Sequence, residues 1–178
     1  MTINKLKILK FKHQFLKKID LVKIIKLKNL EWKYGLKSHR NWINKNIKSS
    51  DLHIFLLNDN NLVGYNLLRK RLYYVERLEK KRNIKKYYFY FDTFIIHPSH
   101  RKKGYAKFFL RGINKYILKH DFFSLLLCKK KHVKFYKKLN WKLANSKNLR
   151  LIDKKTKLNL MSYNNKKLDF KTLFISIN

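Results

Sequence analysis

The segment that most restricts how this chain can fold runs from Tyr87 to Ile96 and is almost entirely aromatic or β-branched. Such a run predicts a β-strand, and Pro98 ends it. A basic turn containing Gly104 follows, and apolar residues then recur at helical spacing up to His120. The sequence therefore predicts a strand, a tight turn and a helix in direct succession.

The remaining periodicity predicts further strands and helices in mixed order, which indicates an α/β domain with helices covering a mixed sheet. Helices are expected near Asp20 and Ser38, each a candidate N-cap, and over Lys131–Leu139. The charged segment from Arg69 to Lys86 has no clear assignment. The predicted strands are Leu6–Lys12, Leu52–Leu57, Leu62–Leu68, Phe122–Cys128, Trp141–Ala144 and Leu158–Tyr163, with Leu173–Ile177 as a weaker candidate.

The composition describes a folded but very basic protein. Lys and Arg number 45 against 10 Asp and Glu, a formal charge of +35, while 45% of residues are hydrophobic, enough to build a core. The length of 178 residues predicts a single domain over 1–178. Such a charge attracts nucleic acid, but the lysines are spread through every predicted element, which favours non-specific contact over a dedicated site.

Cysteine and membrane signals restrict the setting of the chain. One cysteine, Cys128, excludes an internal disulfide framework and a multi-cysteine zinc site, so we expect no metal and a reducing, cytoplasmic location. No apolar stretch approaches the roughly 20 residues of a membrane-spanning helix. We expect no membrane association, and either a monomer or a homodimer.

The turn after the predicted strand has the composition of a phosphate-binding loop. A polyphosphate needs converging backbone N–H groups and a helix N-terminus, which Arg101-Lys-Lys-Gly104-Tyr-Ala106 can provide. This turn resembles motif A of the GNAT (Gcn5-related N-acetyltransferase) superfamily, Q/R-x-x-G-x-G/A. The resemblance implies that Arg101, Lys102, Lys103, Gly104, Tyr105 and Ala106 bind the pyrophosphate of acetyl-CoA, and that the backbone of Phe94, Ile95 and Ile96 pairs with its pantetheine arm.

A second motif lies downstream, from Leu125 to Trp141. It is similar to motif B of the same superfamily, in which a strand precedes a helix with the pattern F-Y-x-x-x-G-F. Asn140 replaces the usual Gly and is the other residue that adopts a left-handed helix cap. The resemblance spans roughly Leu52 to Tyr163 and implies a GNAT-like fold, with a central mixed, mostly antiparallel sheet flanked by about four helices.

The resemblance also implies direct transfer of acetyl from acetyl-CoA to a primary amine. Tyr136 matches the tyrosine that protonates the departing thiolate, although a tyrosine packed in the core gives the same pattern. Asp92 is the candidate base, because a carboxylate inside an apolar run is costly without a purpose; a salt-bridged Asp is the alternative. His97 and His100 are expected to cap the turn, and Cys128 to be a packed thiol.

No motif identifies the acceptor. Aromatic residues of the first two helices and of the central strands can stack on a sugar or ring, among them Trp32, Tyr34, Tyr73 and Tyr74. We expect the amine of a small metabolite, such as an amino sugar or sugar nucleotide, and leave a longer acyl donor open. Two alternatives remain: a non-enzymatic RNA- or DNA-binding protein, and an acetyltransferase acting on a protein or ribosomal target.

Overall fold

A computed structural model of the protein describes residues 6–75, 84–144, 149–151, 157–164 and 173–175. The helices are α1 (Lys18–Glu31), α2 (Leu36–Asn46), α3 (Tyr105–Lys119) and α4 (Lys130–Lys137). The strands are β1 (Leu6–Lys12), β2 (Leu52–Asn58), β3 (Asn61–Val75), β4 (Ile84–Ile96), β5 (Ser124–Cys128), β6 (Lys142–Leu143), β7 (Leu149–Leu151), β8 (Asn159–Tyr163) and β9 (Leu173–Ile175).

The chain divides into two compact units. The first comprises Met1–Arg69 and Asp92–Ile113, and the second comprises Lys70–Phe91 and Asn114–Asn178. The boundary falls inside β3, β4 and α3, so each of these elements contributes residues to both units.

The sheet of the first unit has the strand order β1, β2, β3, β4. β1 and β2 pair antiparallel from Leu6 opposite Asn58 to Lys12 opposite Leu52. β2 and β3 form an antiparallel hairpin whose two turn residues, Asp59 and Asn60, have φ angles of 45° and 67°. Left-handed residues at both positions match the right-handed twist of the strands, as expected from the Asn/Asp-rich sequence of this turn.

Helices cover both faces of this sheet. On one face Ile24 and Ile25 of α1 and Ile43 of α2 share a core with Tyr65 and Ile95. On the other face the ring of Phe94, the residue before Ile95, stacks on Phe109 of α3 at 5.6 Å. Successive residues of β4 therefore point to opposite faces, as the pleat of a strand requires.

The second unit is built around β5. This strand pairs in parallel with β4 at Phe89 and Tyr90, and antiparallel with β8, which in turn pairs with β6. β9 pairs antiparallel with β3 and parallel with β7. Trp141 is fully buried, and its indole N–H donates to Asn114 Oδ1 at 3.1 Å. The amide of Asn114 donates in turn to the carbonyl of Leu139 at 3.0 Å, which fixes the chain after α4.

The predicted α/β fold with a mixed, mostly antiparallel sheet and four helices is confirmed in the described residues. The two predicted N-caps, Asp20 and Ser38, are wrong. α1 begins at Lys18, and Asp20 lies in its first turn, where a negative charge also favours the helix. α2 begins at Leu36 because Gly35, with φ of 85°, makes the turn, and its amide donates to Asn29 Oδ1 at 3.0 Å.

Candidate active site

The strand-to-helix turn of the first unit is held by a cationic side chain. After β4 a single 3₁₀ turn, Pro98–His100, leads to Arg101. The Nε of Arg101 donates to the carbonyl of Ile96 at 3.1 Å, and its guanidinium pairs with Glu31 at the end of α1. The side chain therefore ties the turn back to β4 and to α1.

The amides beyond Arg101 form a continuous row of hydrogen-bond donors. Lys102 and Gly104 have φ angles of 62° and 80°, an alternation that turns neighbouring N–H groups toward one side. Within the described chain, the amides from Lys102 to Ala106 donate to no protein acceptor. These donors stand at the N-terminus of α3, where the helix dipole favours an anion.

The end of β4 precedes this turn. The side chains of Ile95 and Ile96 are buried, and the His97 amide donates to the carbonyl of Val63 in β3 at 2.8 Å. The resemblance to the GNAT superfamily implies that this segment pairs with the pantetheine arm. That role stays a prediction.

A backbone irregularity lies just before this segment. Thr93 has a φ of 40°, which is uncommon for a β-branched residue. The fully buried Asn66 of β3 compensates: its amide nitrogen donates to the carbonyls of both Asp92 and Thr93, at 3.0 Å and 3.1 Å. Asn66 cannot be recognised from the sequence, because a lone Asn in a strand carries no signal until its partner strand is known.

Asp92 is held by several donors. Its Oδ2 lies 3.2 Å from a guanidinium nitrogen of the buried Arg69, and its Oδ1 accepts from the amide of Thr93 at 2.8 Å. The structure thus contains the ion pair that sequence analysis weighed against a catalytic base. The role of Asp92 as the base stays a prediction.

The candidate acceptor residues of the first unit lie around the loop between α1 and α2. Trp32 is half-buried and packs against the core, and its carbonyl lies 2.8 Å from the His39 ring. Tyr34 is 69% exposed, with its ring 5.8 Å from that of His39. Tyr34 is therefore accessible to a ligand, whereas Trp32 has both a structural role and an exposed part.

The remaining candidates belong to the second unit. Tyr136 is buried, and its ring lies edge-to-face against the rings of Phe91 and Trp141. Burial, with a smaller electrostatic effect of Cys128, raises the pKa of Tyr136 well above the ordinary range. Tyr73 is buried in an aromatic core with Tyr88 and Phe123. Tyr74 lies on β3, and its side chain is outside the described part of the structure. Cys128 is buried, 3.7 Å from the sulfur of Met161, as a packed thiol would be.

His97 and Ser99 form a local cap. The His97 ring accepts from the Ser99 amide at 3.3 Å and contacts its hydroxyl at 2.7 Å. In the described residues, no group of three or more His, Cys, Asp or Glu side chains is arranged to hold a metal ion. Across the same residues, no helix is both long and apolar enough to span a membrane.

Comparison with known proteins agrees with this geometry. The sequence profile of the acetyltransferase (GNAT) family matches residues 21–141, about two thirds of the chain. The protein belongs to the GNAT family of N-acetyltransferases, which confirms the resemblance found in the sequence. No curated protein sequence matches the chain.

Solved structures share the fold at low sequence identity. A GNAT family N-acetyltransferase, YhbS of Escherichia coli, in complex with CoA, is 13% identical with a TM-score of 0.67, covering 97% of this chain and 89% of that one. An aminoglycoside 6′-N-acetyltransferase complexed with coenzyme A is 11% identical with a TM-score of 0.58, covering 88% and 96%. The ribosomal-protein-S18-alanine N-acetyltransferase of Escherichia coli is 12% identical with a TM-score of 0.59, covering 89% and 92%.

Proposed function

We propose that the protein transfers the acetyl group of acetyl-CoA to a primary amine of a small metabolite, such as an amino sugar or sugar nucleotide. One observation carries the proposal: the row of unused amides from Lys102 to Ala106 at the head of α3. Five N–H groups without a protein acceptor at a helix N-terminus provide the donors and the positive potential that a pyrophosphate needs. Structural neighbours determined with bound CoA support CoA as the ligand.

In this proposal the turn holds the pyrophosphate, and the backbone from Phe94 to Ile96 pairs with the pantetheine amides as an added strand would. The lysines at 102 and 103 are exposed and add positive charge beside the phosphates. Arg101 contributes indirectly, because its contacts with Ile96 and Glu31 fix the turn.

The chemistry is direct acyl transfer. The neutral amine attacks the thioester carbonyl, the C–N bond forms, and the C–S bond breaks as the CoA thiolate leaves. Tyr136 donates the proton to that thiolate; its phenol is the protonated form at neutral pH, and burial, which raises its pKa, keeps it from acting as a base. Asp92 accepts the proton that the amine loses, and Arg69 and Thr93 orient its carboxylate.

Acetylation of a protein or ribosomal target is the second candidate, and the charge of +35 is the observation that favours it. A cytoplasmic location and a single domain over 1–178 remain predictions. An acetylation assay with acetyl-CoA separates the two candidates, since a ribosomal or other RNA-bound protein target would be labelled in preference to every small amine.

Calorimetry with coenzyme A tests the proposed site. Gly104→Glu places a carboxylate against the pyrophosphate, so we expect CoA affinity to fall by about a hundredfold or more. Gly35→Glu is the matched control, because Gly35 has a φ of 85°, Gly104 has 80°, and both have open space where a side chain would begin. The control should lose similar stability and keep its CoA affinity. Equal losses in both variants, or no affinity in the wild type, would refute the site.

A further inference from the structure

A buried cluster of charges lies beneath α1 and α2 in the first unit. Lys28 of α1 is 5% exposed and Arg69 of β3 is 4% exposed, and Asp92 is the carboxylate beside them. Arg69 is engaged with this carboxylate and with the carbonyl of Asn46, each at 3.2 Å. The charges of Arg69 and Asp92 therefore neutralise each other, whereas Lys28 adds a further positive charge.

The ammonium of Lys28 is held against an aromatic ring. It lies 4.1 Å from the centroid of the half-buried Trp42 ring, a cation–π contact. Within the described residues it has no hydrogen-bond acceptor and no ion-pair partner. The ammonium nitrogen is not fully enclosed by the described residues, so it keeps access to solvent.

Such a lysine is costly. Removing an ammonium from water without an acceptor is unfavourable, and the contact with Trp42 recovers only part of that cost. Burial, opposed by Asp92 and assisted by Arg69, lowers the pKa of Lys28 to about 8. At neutral pH the side chain therefore still carries its charge and three N–H donors.

The position of Lys28 relates it to the turn that binds CoA in the proposed function. Glu31, one helical turn further along α1, pairs with Arg101 at the start of that turn. On the sheet side, Asp92 lies two residues before Phe94, the first residue of the segment assigned to pantetheine. Lys28 is thus connected to both parts of the first unit that the donor would contact: to the turn through α1 and Glu31, and to the end of β4 through its interaction with Asp92.

We propose that the acceptor carries an anionic group, a carboxylate or a phosphate, in addition to its amine, and that Lys28 binds this group beside the ring of Trp42. The inference rests on the proposed acetyltransfer and names its substrate class: amino acids or phosphorylated amino sugars rather than neutral amines. An anion supplies the acceptor that the ammonium lacks, and the partial burial strengthens the interaction.

Matched pairs of amines test the inference with the wild-type enzyme and acetyl-CoA. Alanine is compared with alaninamide, and glucosamine 6-phosphate with glucosamine, so that one pair reports a carboxylate and the other a phosphate. We expect kcat/KM to favour the anionic member of at least one pair by about tenfold or more, the size of a charge-assisted hydrogen bond. Equal kcat/KM within both pairs overturns the inference.

Variants assign the preference to Lys28. Lys28→Met should abolish it by raising KM for the anionic acceptor about ten- to a hundredfold more than KM for the matching neutral acceptor. The control is Lys26→Met, an exposed lysine of the same helix, which should keep the preference. Lys28→Met should unfold at the same or a higher temperature, because it replaces a buried charged side chain with an apolar side chain of similar volume. A preference that survives Lys28→Met also overturns the inference.

The same pairs of amines can also be compared by binding alone, without catalysis. If no amine is acetylated, each compound is added to the CoA-saturated protein and the thermal midpoint is measured. The anionic members should raise the midpoint of the wild type and not that of Lys28→Met; equal shifts overturn the inference. An enzyme that binds CoA and acetylates neutral and anionic amines equally well overturns the inference but agrees with the proposed function. A protein without CoA affinity contradicts the proposed function itself.

Discussion

At the residue scale, a chain of hydrogen-bonded rings crosses the core of the first unit. The fully buried His53 ring has its Nε2 3.0 Å from Nδ1 of the partly exposed His13, and its Nδ1 lies 2.8 Å from the hydroxyl of Tyr65. Burial, and next the charges of His13 and Lys28, lower the pKa of His53 to about 3. His53 is therefore neutral in the folded protein at every ordinary pH.

This neutrality makes folding stability depend on pH. Between pH 6.5 and 3 the unfolded chain binds a proton at His53 that the folded chain refuses, so the free energy of unfolding falls as the pH falls. From pH 6.5 to pH 4 we expect the wild type to lose about 3 kcal/mol more than His53→Gln, which cannot titrate. Denaturant midpoints of both proteins across this range measure the difference. Parallel curves would show that His53 is protonated in the fold.

Single residues also show where sequence inference ends. The sequence identified Asp92 as an unusual buried carboxylate, because the cost of burial is visible from its apolar neighbours alone. Its partner Arg69 lies in a segment without a clear pattern, and 23 residues separate the two. The ion pair exists because β3 and β4 are neighbours in the sheet, which no local pattern encodes.

At the element scale, the end of α4 shows a sequence motif becoming geometry. Asn140 has a φ of 67°. Its amide donates to the carbonyl of Lys137 at 3.1 Å, and the amide of Trp141 donates to the carbonyl of Tyr136 at 3.2 Å. These two bonds form a Schellman motif, and the rings of Tyr136 and Trp141 make the apolar contact that accompanies it. The expected left-handed cap at Asn140 is confirmed.

This cap predicts how substitutions at 140 affect stability. Asn140→Gly should leave the free energy of unfolding unchanged or slightly higher, since Gly adopts a positive φ without strain. Asn140→Val should lower it by about 1–2 kcal/mol, because a β-branched residue is strained in that conformation. Chemical denaturation of the three proteins provides the measurement. Equal stability of the Val and Gly variants would mean that the cap is not needed.

The ends of the other elements were harder to predict. β3 continues to Val75, well beyond the predicted end at Leu68, since pairing within the sheet supports charged residues that lack an apolar pattern. Phe108 of α3 is 44% exposed, whereas its neighbour Phe109 is fully buried. Helical spacing permits either face at this point, and the position of the sheet decides between them.

At the scale of the whole molecule, the charge of +35 should produce nucleic-acid binding without sequence preference. We expect duplexes and single strands of unrelated sequence to bind with similar affinity, and this affinity to fall by about a thousandfold or more between 50 and 200 mM salt. Fluorescence anisotropy titrations measure both properties. Gly104→Glu should bind nucleic acid as the wild type does. Salt-resistant preference for one sequence would instead support the nucleic-acid-binding alternative.

The sequence by itself determined the fold class, the family and the position of the turn from Arg101 to Ala106, because these depend on local periodicity and on short motifs. The tertiary structure alone decided which groups meet: Asn66 with the backbone at Thr93, Arg69 with Asp92, and Lys28 with Trp42. Each of these contacts joins residues from different strands or helices. Their distances follow from strand order and helix packing, which arise only when the whole chain buries its apolar faces together.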